Sequence, residues 1–357
     1  MNKKFLNLHV LISHSPSCLN RDDMNMQKSA VFGGVRRIRI SSQCIKRAIR
    51  RMWKTNGIAT SLRSTITIDE MIKKLGEKYE KIGLYMAAML EGKTDIKDIK
   101  NKKLDKNGRI TTQIIPLESE EMAIIERALR EAVDKKNDTE IINKIKEVLG
   151  SLERLPTSDI AMFGRMASTT LLDEVEAATS VAHVITTHKV DSEIDWFTAM
   201  DDLREEAEES GAGHLNTQEF GSGVFYRYAC VDIDLLAENL GKPRTKALAF
   251  AADFAGLFAT VVPTGKQKSF ASYTVADYVL ASFSDMPLSA ANAFEKPVSS
   301  RNGLMDPSVK AFEEYWTKVH TGYGLKEDHA VFSLVGSLLT EQKDTLPVLV
   351  DWIKNQE

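Results

Sequence analysis

Ile40-Ser41-Ser42-Gln43-Cys44-Ile45-Lys46-Arg47-Ala48-Ile49-Arg50-Arg51-Met52-Trp53-Lys54 reads as a strand end, a serine cap and a basic helix. Ile45, Ala48, Ile49 and Met52 recur at i, i+3, i+4 and i+7 and are expected to face the core. Lys46, Arg47, Arg50, Arg51 and Lys54 must then point elsewhere, with Lys46, Arg50 and Lys54 in one row at every fourth position. No Asp or Glu lies within the helix to pair with them. An earlier strand pattern precedes this unit, so the chain opens as β-loop-β-α.

The charge around this helix is concentrated. From Arg21 to Lys54 there are ten Lys or Arg against only Asp22 and Asp23, in a chain whose formal net charge is −3. Removing that window from the totals of 47 basic and 50 acidic residues leaves the remainder at about −11. A local patch near +8 on an acidic molecule points to a polyanion site. The helix start adds unpaired N–H groups, the positive end of its dipole, the hydroxyls of Ser41 and Ser42 and the amide of Gln43, a set that would bind phosphate without reading bases. The competing reading is a solvated face paired with acids elsewhere in the fold.

At 357 residues, with 43% hydrophobic and 27% charged residues, the chain can bury a large core and divide into two or three units. Met1 to Phe5 run directly into strand pattern without a signal-peptide core, and no apolar stretch reaches the roughly 20 residues that span a bilayer. A cytoplasmic location without membrane contact is expected. Cys18, Cys44 and Cys230 are far apart and lack CxxC spacing, so reduced, mostly buried thiols are expected, with no zinc site, metal or cofactor.

Residues 4 to 13 alternate as a strand (Phe5, Leu8, Val10, Ile12), followed by a turn-rich loop to Lys28 and a strand from Val35 to Ile40. From Thr65 to Leu152 the pattern turns helical, including Ile68 to Leu90 and Ser119 to Val133, and reads as an insertion. Strand signals return after Pro156. Gly223 to Asp234 places Val224, Tyr226, Tyr228 and Cys230 on one side and Phe225, Arg227, Ala229 and Val231 on the other. A helix from Thr245 to Val262, a strand from Tyr278 to Phe283 and two C-terminal helices follow. The expectation is an α+β fold with helices on one face of an antiparallel sheet.

Val190 to Phe220 form a second insertion, with Trp196, Phe197 and Thr198 ahead of an acidic run through Asp201, Asp202, Glu205, Glu206, Glu208 and Glu209. Adjacent aromatics in a strand point to opposite sides, so one could stack on a base, or both could pack at the root of the arm. Spacing does not decide between the two.

Leu8 to Lys28, Ile38 to Arg47, Thr186-Thr187-His188 through Ile194-Asp195-Trp196-Phe197-Thr198-Ala199, and Phe283 to Ser289 resemble the type I-E CRISPR-associated CasC family, the backbone subunit of the Cascade surveillance complex. The resemblance runs nearly end to end and is weakest from Thr65 to Leu152. It implies a modified RRM-like (ferredoxin-like) palm in residues 1–64, 153–189 and 221–357, helical fingers in 65–152 and a thumb in 190–220. It further implies that copies stack into a helical filament along one CRISPR RNA, beside other Cascade subunits, and present guide bases to a target DNA strand. Carried onto matching positions, Arg21, Lys28, Ser41, Gln43, Lys46 and Arg50 would hold guide phosphates and sugars, joined by Arg47 from the reading of the basic helix. Met166, in Gly164-Arg165-Met166-Ala167, and the thumb residues Trp196, Phe197 and Thr198 would wedge against a displaced nucleotide. Arg50 stands where the family has lysine, which keeps the charge and changes the geometry. Lys135, Lys136, Lys144 and Lys146, in the place of a lysine-rich finger helix, are interrupted by Asp138 and Glu140.

A metal-dependent endoribonuclease is the alternative. Asp22 and Asp23 follow the first strand, with His14 nearby, and related backbone subunits of other CRISPR types cut RNA with an aspartate in such a loop. No further carboxylates are recognisable by spacing, so these acids are expected to cap the loop or pair with Arg21, and the chain is expected not to be an enzyme. A filament scaffold binding an acidic protein is a third reading. His183 and His188 lack metal-ligand spacing and are expected to be buried and hydrogen-bonded, and Gly221 to Tyr228, which lacks a full RNP1 pattern, is read as sheet core.

Overall fold

The computed structural model describes residues 3–150, 158–191, 193–199 and 214–356. The chain opens with β1 (Phe5–Ser17), β2 (Ser29–Phe32), β3 (Val35–Ile40) and α1 (Ser42–Thr55). Next come β4 (Leu62–Ser64), α2 (Thr67–Leu75), α3 (Glu80–Leu90), α4 (Ile96–Lys100), β5 (Ile115–Leu117), α5 (Ser119–Ala132), α6 (Asp138–Gly150) and α7 (Ser158–Phe163). The chain then forms β6 (Thr179–Val181), β7 (Val184–Thr186), β8 (Glu193–Ala199), β9 (His214–Asp232), α8 (Ile233–Leu240) and α9 (Arg244–Thr260). It ends with α10 (Gln267–Phe270), β10 (Tyr278–Ser284), α11 (Met305–Tyr323), β11 (Asp328–Ser333) and α12 (Leu346–Lys354).

Two compact units result. The first comprises Met1–Met52, Thr179–Asp234 and Pro243–Glu357, and the second Trp53–Ala178 with Leu235–Lys242. The first is built on an antiparallel sheet in the order β11-β10-β1-β9-β7-β3-β2, with β6 and β8 also pairing to β9. β1 lies centrally, Leu8 opposite Ala281 on one side and Ala229 on the other. Its residues from Leu6 to Ile12 are buried without interruption, as befits a strand covered on both faces.

That burial corrects the expectation of helices on one face. Leu11, Tyr226, Tyr228, Tyr278 and Val331 pack with Phe312 and Trp316 of α11. On the alternate residues, Arg227 reaches the carbonyls of Phe258 and Val261 at the end of α9, and Phe283 meets Trp352 of α12 edge-on. Both alternating sets in β1 and β9 are buried, including the polar Asn7, His9 and Arg227, so each face has a cover. Phe225, Tyr226 and Tyr228 are buried, which fits the core reading of that strand. β11 was not expected: only Ala330, Val331 and Phe332 of its six residues are apolar, and it is defined by its pairing with β10.

The second unit has its own core, including Met86, Leu90, Ile125, Leu129, Ile145 and Leu149. In the first unit β8 pairs with the early part of β9, Trp196 opposite Thr217, Phe197 opposite Asn216 and Thr198 opposite Leu215. The side chains of Trp196, Phe197 and Thr198, and the acidic run from Asp201 to Glu209, lie outside the described residues. No helix among the described residues is long and apolar enough to cross a membrane.

Candidate nucleic-acid interface

The start of α1 is anchored from several directions. The Ser41 hydroxyl accepts the Cys44 N–H (3.3 Å), and the Ser41 N–H is donated to Asn20 Oδ1 (2.8 Å). The Ser42 N–H goes to His183 Nδ1 (3.1 Å). Ser41 is 9% exposed, so its hydroxyl serves as the helix cap, and donors expected to be open to phosphate are engaged within the protein. His183 is exposed, not buried as expected, whereas His188 is buried, donating Nδ1–H to the Lys189 carbonyl and accepting the Val224 N–H at Nε2.

The inward stripe of α1 is Ile45, Ile49 and Trp53; Trp53 is 0% exposed and Met52 40%. Positions i, i+4 and i+8 thus carry the burial, and the larger apolar ring takes the place assigned to Met52. Cys44, Arg47, Ala48 and Arg51, at i, i+3, i+4 and i+7, occupy another face and line a groove of about 350 Å³. Its other walls are Leu19 to Asp22 with Asn25, and Pro263 to Lys266. Arg21, Arg47, Arg51 and Lys266 contribute four cations there, against the single acid Asp22.

Asp22 is committed to its own loop, since Oδ1 accepts the N–H groups of Met24 and Met26, both at 2.9 Å. Arg21 Nη1 donates to Asn25 Oδ1 (2.7 Å) across the same turn. Asp22 therefore caps the loop as expected. Among the described residues no group of three or more His, Cys, Asp or Glu could hold a metal ion. The loop is tied to the sheet by buried Glu219, which accepts the Gln27 N–H (3.0 Å) and Arg36 Nη2 (2.6 Å). Across the groove, a Cβ on Gly265 would fall 2.6 Å from the Leu19 carbonyl oxygen, so the two loops approach closely only because this residue is glycine.

Burial pushes the thiols of Cys18 and Cys44 up, against the pull of Arg21 and Lys266 on the first and of Arg47 and Lys28 on the second. Partial desolvation of the otherwise exposed ring, with Arg39 and Lys28 adding to it, holds His183 below its ordinary value, consistent with an unprotonated Nδ1 facing the Ser42 N–H.

The groove unites Arg21 and Arg47 from the predicted set. Lys28 is half-buried on the strand side of the loop, Lys46 and Arg50 are half-buried on a neighbouring flank of α1, and Gln43 is exposed in its first turn. Met166 belongs to the second unit and is 85% exposed. Beside it, buried Arg165 donates to Glu121 (2.6 Å) and to the carbonyls of Pro116 and Asp173. In the same unit Lys144 is tied to Glu131 and Glu147. Thr264, Gly265 and Lys266 were missed by sequence reasoning; the only local signal is the turn-forming Pro263-Thr264-Gly265 ahead of a lysine.

Fold and groove define an α+β, antiparallel-sheet protein with a cationic groove. The chain belongs to the CT1975-like protein family (Cas_CT1975), whose model matches residues 6–352. It is similar to a chain of a structure described as "CRISPR RNA-guided surveillance complex, pre-nicking", with 30% identity, coverage of 98% of this chain and 99% of that one, and a TM-score of 0.83. A chain of a second structure, "CRISPR RNA-guided surveillance complex", shares the fold with 24% identity, 98% coverage of each chain and a TM-score of 0.61. None of the curated proteins matches.

Proposed function

We propose that this chain is a non-catalytic guide-RNA-binding subunit, the backbone of a type I-E Cascade surveillance complex, which polymerises along the CRISPR RNA in the cytoplasm. The observation that carries this reading is the groove on α1, in which four cations face one acid already engaged by its own loop. Such a site attracts phosphate whatever the base, as a subunit accepting any guide must, while pairing with target DNA supplies specificity. The family and the surveillance-complex chain at 30% identity support the same context. In this reading the antiparallel sheet is an RRM-like palm, the second unit contains the fingers, and β8 with the start of β9 is the thumb. Met166 and the thumb residues Trp196, Phe197 and Thr198 meet a displaced nucleotide. Copies of the chain, other Cascade subunits and, through the guide, target DNA are its partners.

The test is binding of the full chain to labelled single-stranded RNAs of unrelated sequence across a salt series with Mg²⁺ or Mn²⁺, the RNA length being read afterwards on a gel. Intact RNA bound with sequence-neutral, salt-sensitive affinity is expected. Metal-dependent shortening abolished by Asp22→Ala or Asp23→Ala would instead make the chain a nuclease.

A further inference from the structure

Residues with positive φ and a side chain are uncommon, and among the described residues there are three: Asn25 (63°), Lys266 (51°) and Ala271 (51°). The first two line the groove, and the third ends the same loop that carries Lys266. Asparagine tolerates this conformation readily; lysine and alanine do so only when their surroundings impose it.

Here the surroundings do impose it. Buried Gln267 donates through Nε2 to the carbonyls of Pro263 (3.2 Å) and Ser272 (3.0 Å), cross-bracing the loop. The N–H groups of Ser269 and Phe270 close on the Lys266 carbonyl at 2.9 and 3.0 Å. The Phe270 ring lies 5.8 Å from that of Phe220, at the end of the β8–β9 ladder, and Gly265 seats the loop against Leu19. From the facing helix, Arg51 Nη1 reaches Thr264 Oγ1 at 3.3 Å.

We infer that the Pro263–Ser272 loop is a preorganised phosphate clamp, in which Lys266 of the loop and Arg51 of α1 hold one phosphodiester of a single-stranded RNA between them. The inference rests on the guide-binding reading and deepens it. A lysine carried on a braced backbone opposite an arginine fork suits a tetrahedral, doubly accepting phosphodiester, and binding there costs little further backbone ordering because the loop is already fixed. An acidic peptide would find the same charges, and the test separates it.

Three substitutions in the full chain decide the matter, measured on RNA oligonucleotides of unrelated sequence across a salt series, with polyglutamate as the acidic-peptide probe. Lys266→Gly removes the ammonium and frees the backbone from its unfavourable φ. Its thermal midpoint should be no lower than wild type, while RNA affinity falls several-fold for every sequence and the salt slope flattens by about 0.7. Lys266→Arg should retain most of the binding, and Arg51→Gln should reproduce the loss. Wild-type affinity and slope in Lys266→Gly and Arg51→Gln, with Arg47→Ala still weakening RNA binding, would overturn the clamp and leave the guide-binding reading standing. A wild-type chain that ignores RNA and binds polyglutamate would overturn both.

Discussion

At the scale of single residues the least expected group is Arg227, fully buried and without a carboxylate partner among the described residues. Its charge is met by the Phe258 and Val261 carbonyls, at the negative end of the α9 dipole, and by His14 Nε2 at 3.2 Å. To accept from Arg227, His14 must carry its proton on Nδ1, which is donated to Thr274 Oγ1 at 2.7 Å. Burial first, and then Arg227, holds His14 down to about 3; His9 is likewise lowered to about 3 by burial and then His320. Both are depressed from 6.5, so their neutral-state stability is complete above about pH 6.5 and is lost as pH falls toward 3. Urea unfolding should show a level plateau from neutral pH upward and a loss of about 2 kcal/mol per histidine by about pH 5. His14→Gln should remove one share of that dependence; a wild-type profile flat to pH 5 would refute the assignment. Ser41 invites a separate check, because its hydroxyl caps α1. Ser41→Ala should cost about 1 kcal/mol in urea, and weaker RNA binding at unchanged stability would show that the hydroxyl serves the ligand instead.

At the scale of elements, α1 presents cations on two flanks, Arg47 and Arg51 toward the groove and Lys46, Arg50 and Lys54 on a neighbouring side. Changing Lys46, Arg47 and Arg50 together to Ala should weaken RNA binding equally for unrelated sequences and flatten its salt slope by about 0.7 per lost phosphate contact, read from affinities across the salt series. Unchanged affinity and slope would remove α1 from the interface. The strand β3, the Ser41 cap, α1 and the two-sided alternation of β9 were legible because each is a local periodicity with local punctuation. The choice of Trp53 over Met52 was not, since both lie at the edge of the same apolar arc and packing decides. His183 at the helix start and the Pro263–Ser272 loop were invisible for another reason. Each meets α1 only after the sheet has brought distant segments together, and neither carries a periodicity to betray it. β11 was missed likewise, its six residues becoming a strand through their partner β10.

At the scale of the whole molecule, the charge is divided between one basic window and an acidic remainder near −11. A subunit repeated along an RNA needs attraction confined to the face that follows the strand, with weak affinity for nucleic acid elsewhere. The guide-backbone reading therefore predicts assembly that scales with the ligand. On RNAs of increasing length, complexes of the full chain should gain mass in steps of one chain of 39.8 kDa, each step requiring a fixed increment of nucleotides. Mass photometry across the length series would read this directly, and a single stoichiometry on every RNA would argue for an isolated binder. Trp196 and Phe197 stand at consecutive rungs of the β8–β9 ladder, apart from the groove residues in sequence. Trp196→Ala with Phe197→Ala should thus keep the salt slope of phosphate binding while changing chemical protection of the bases once per increment. If protection is uniform along the RNA in wild type and variant alike, the arm does not interrupt the guide; a slope that falls with the double variant would place the arm among the phosphate contacts.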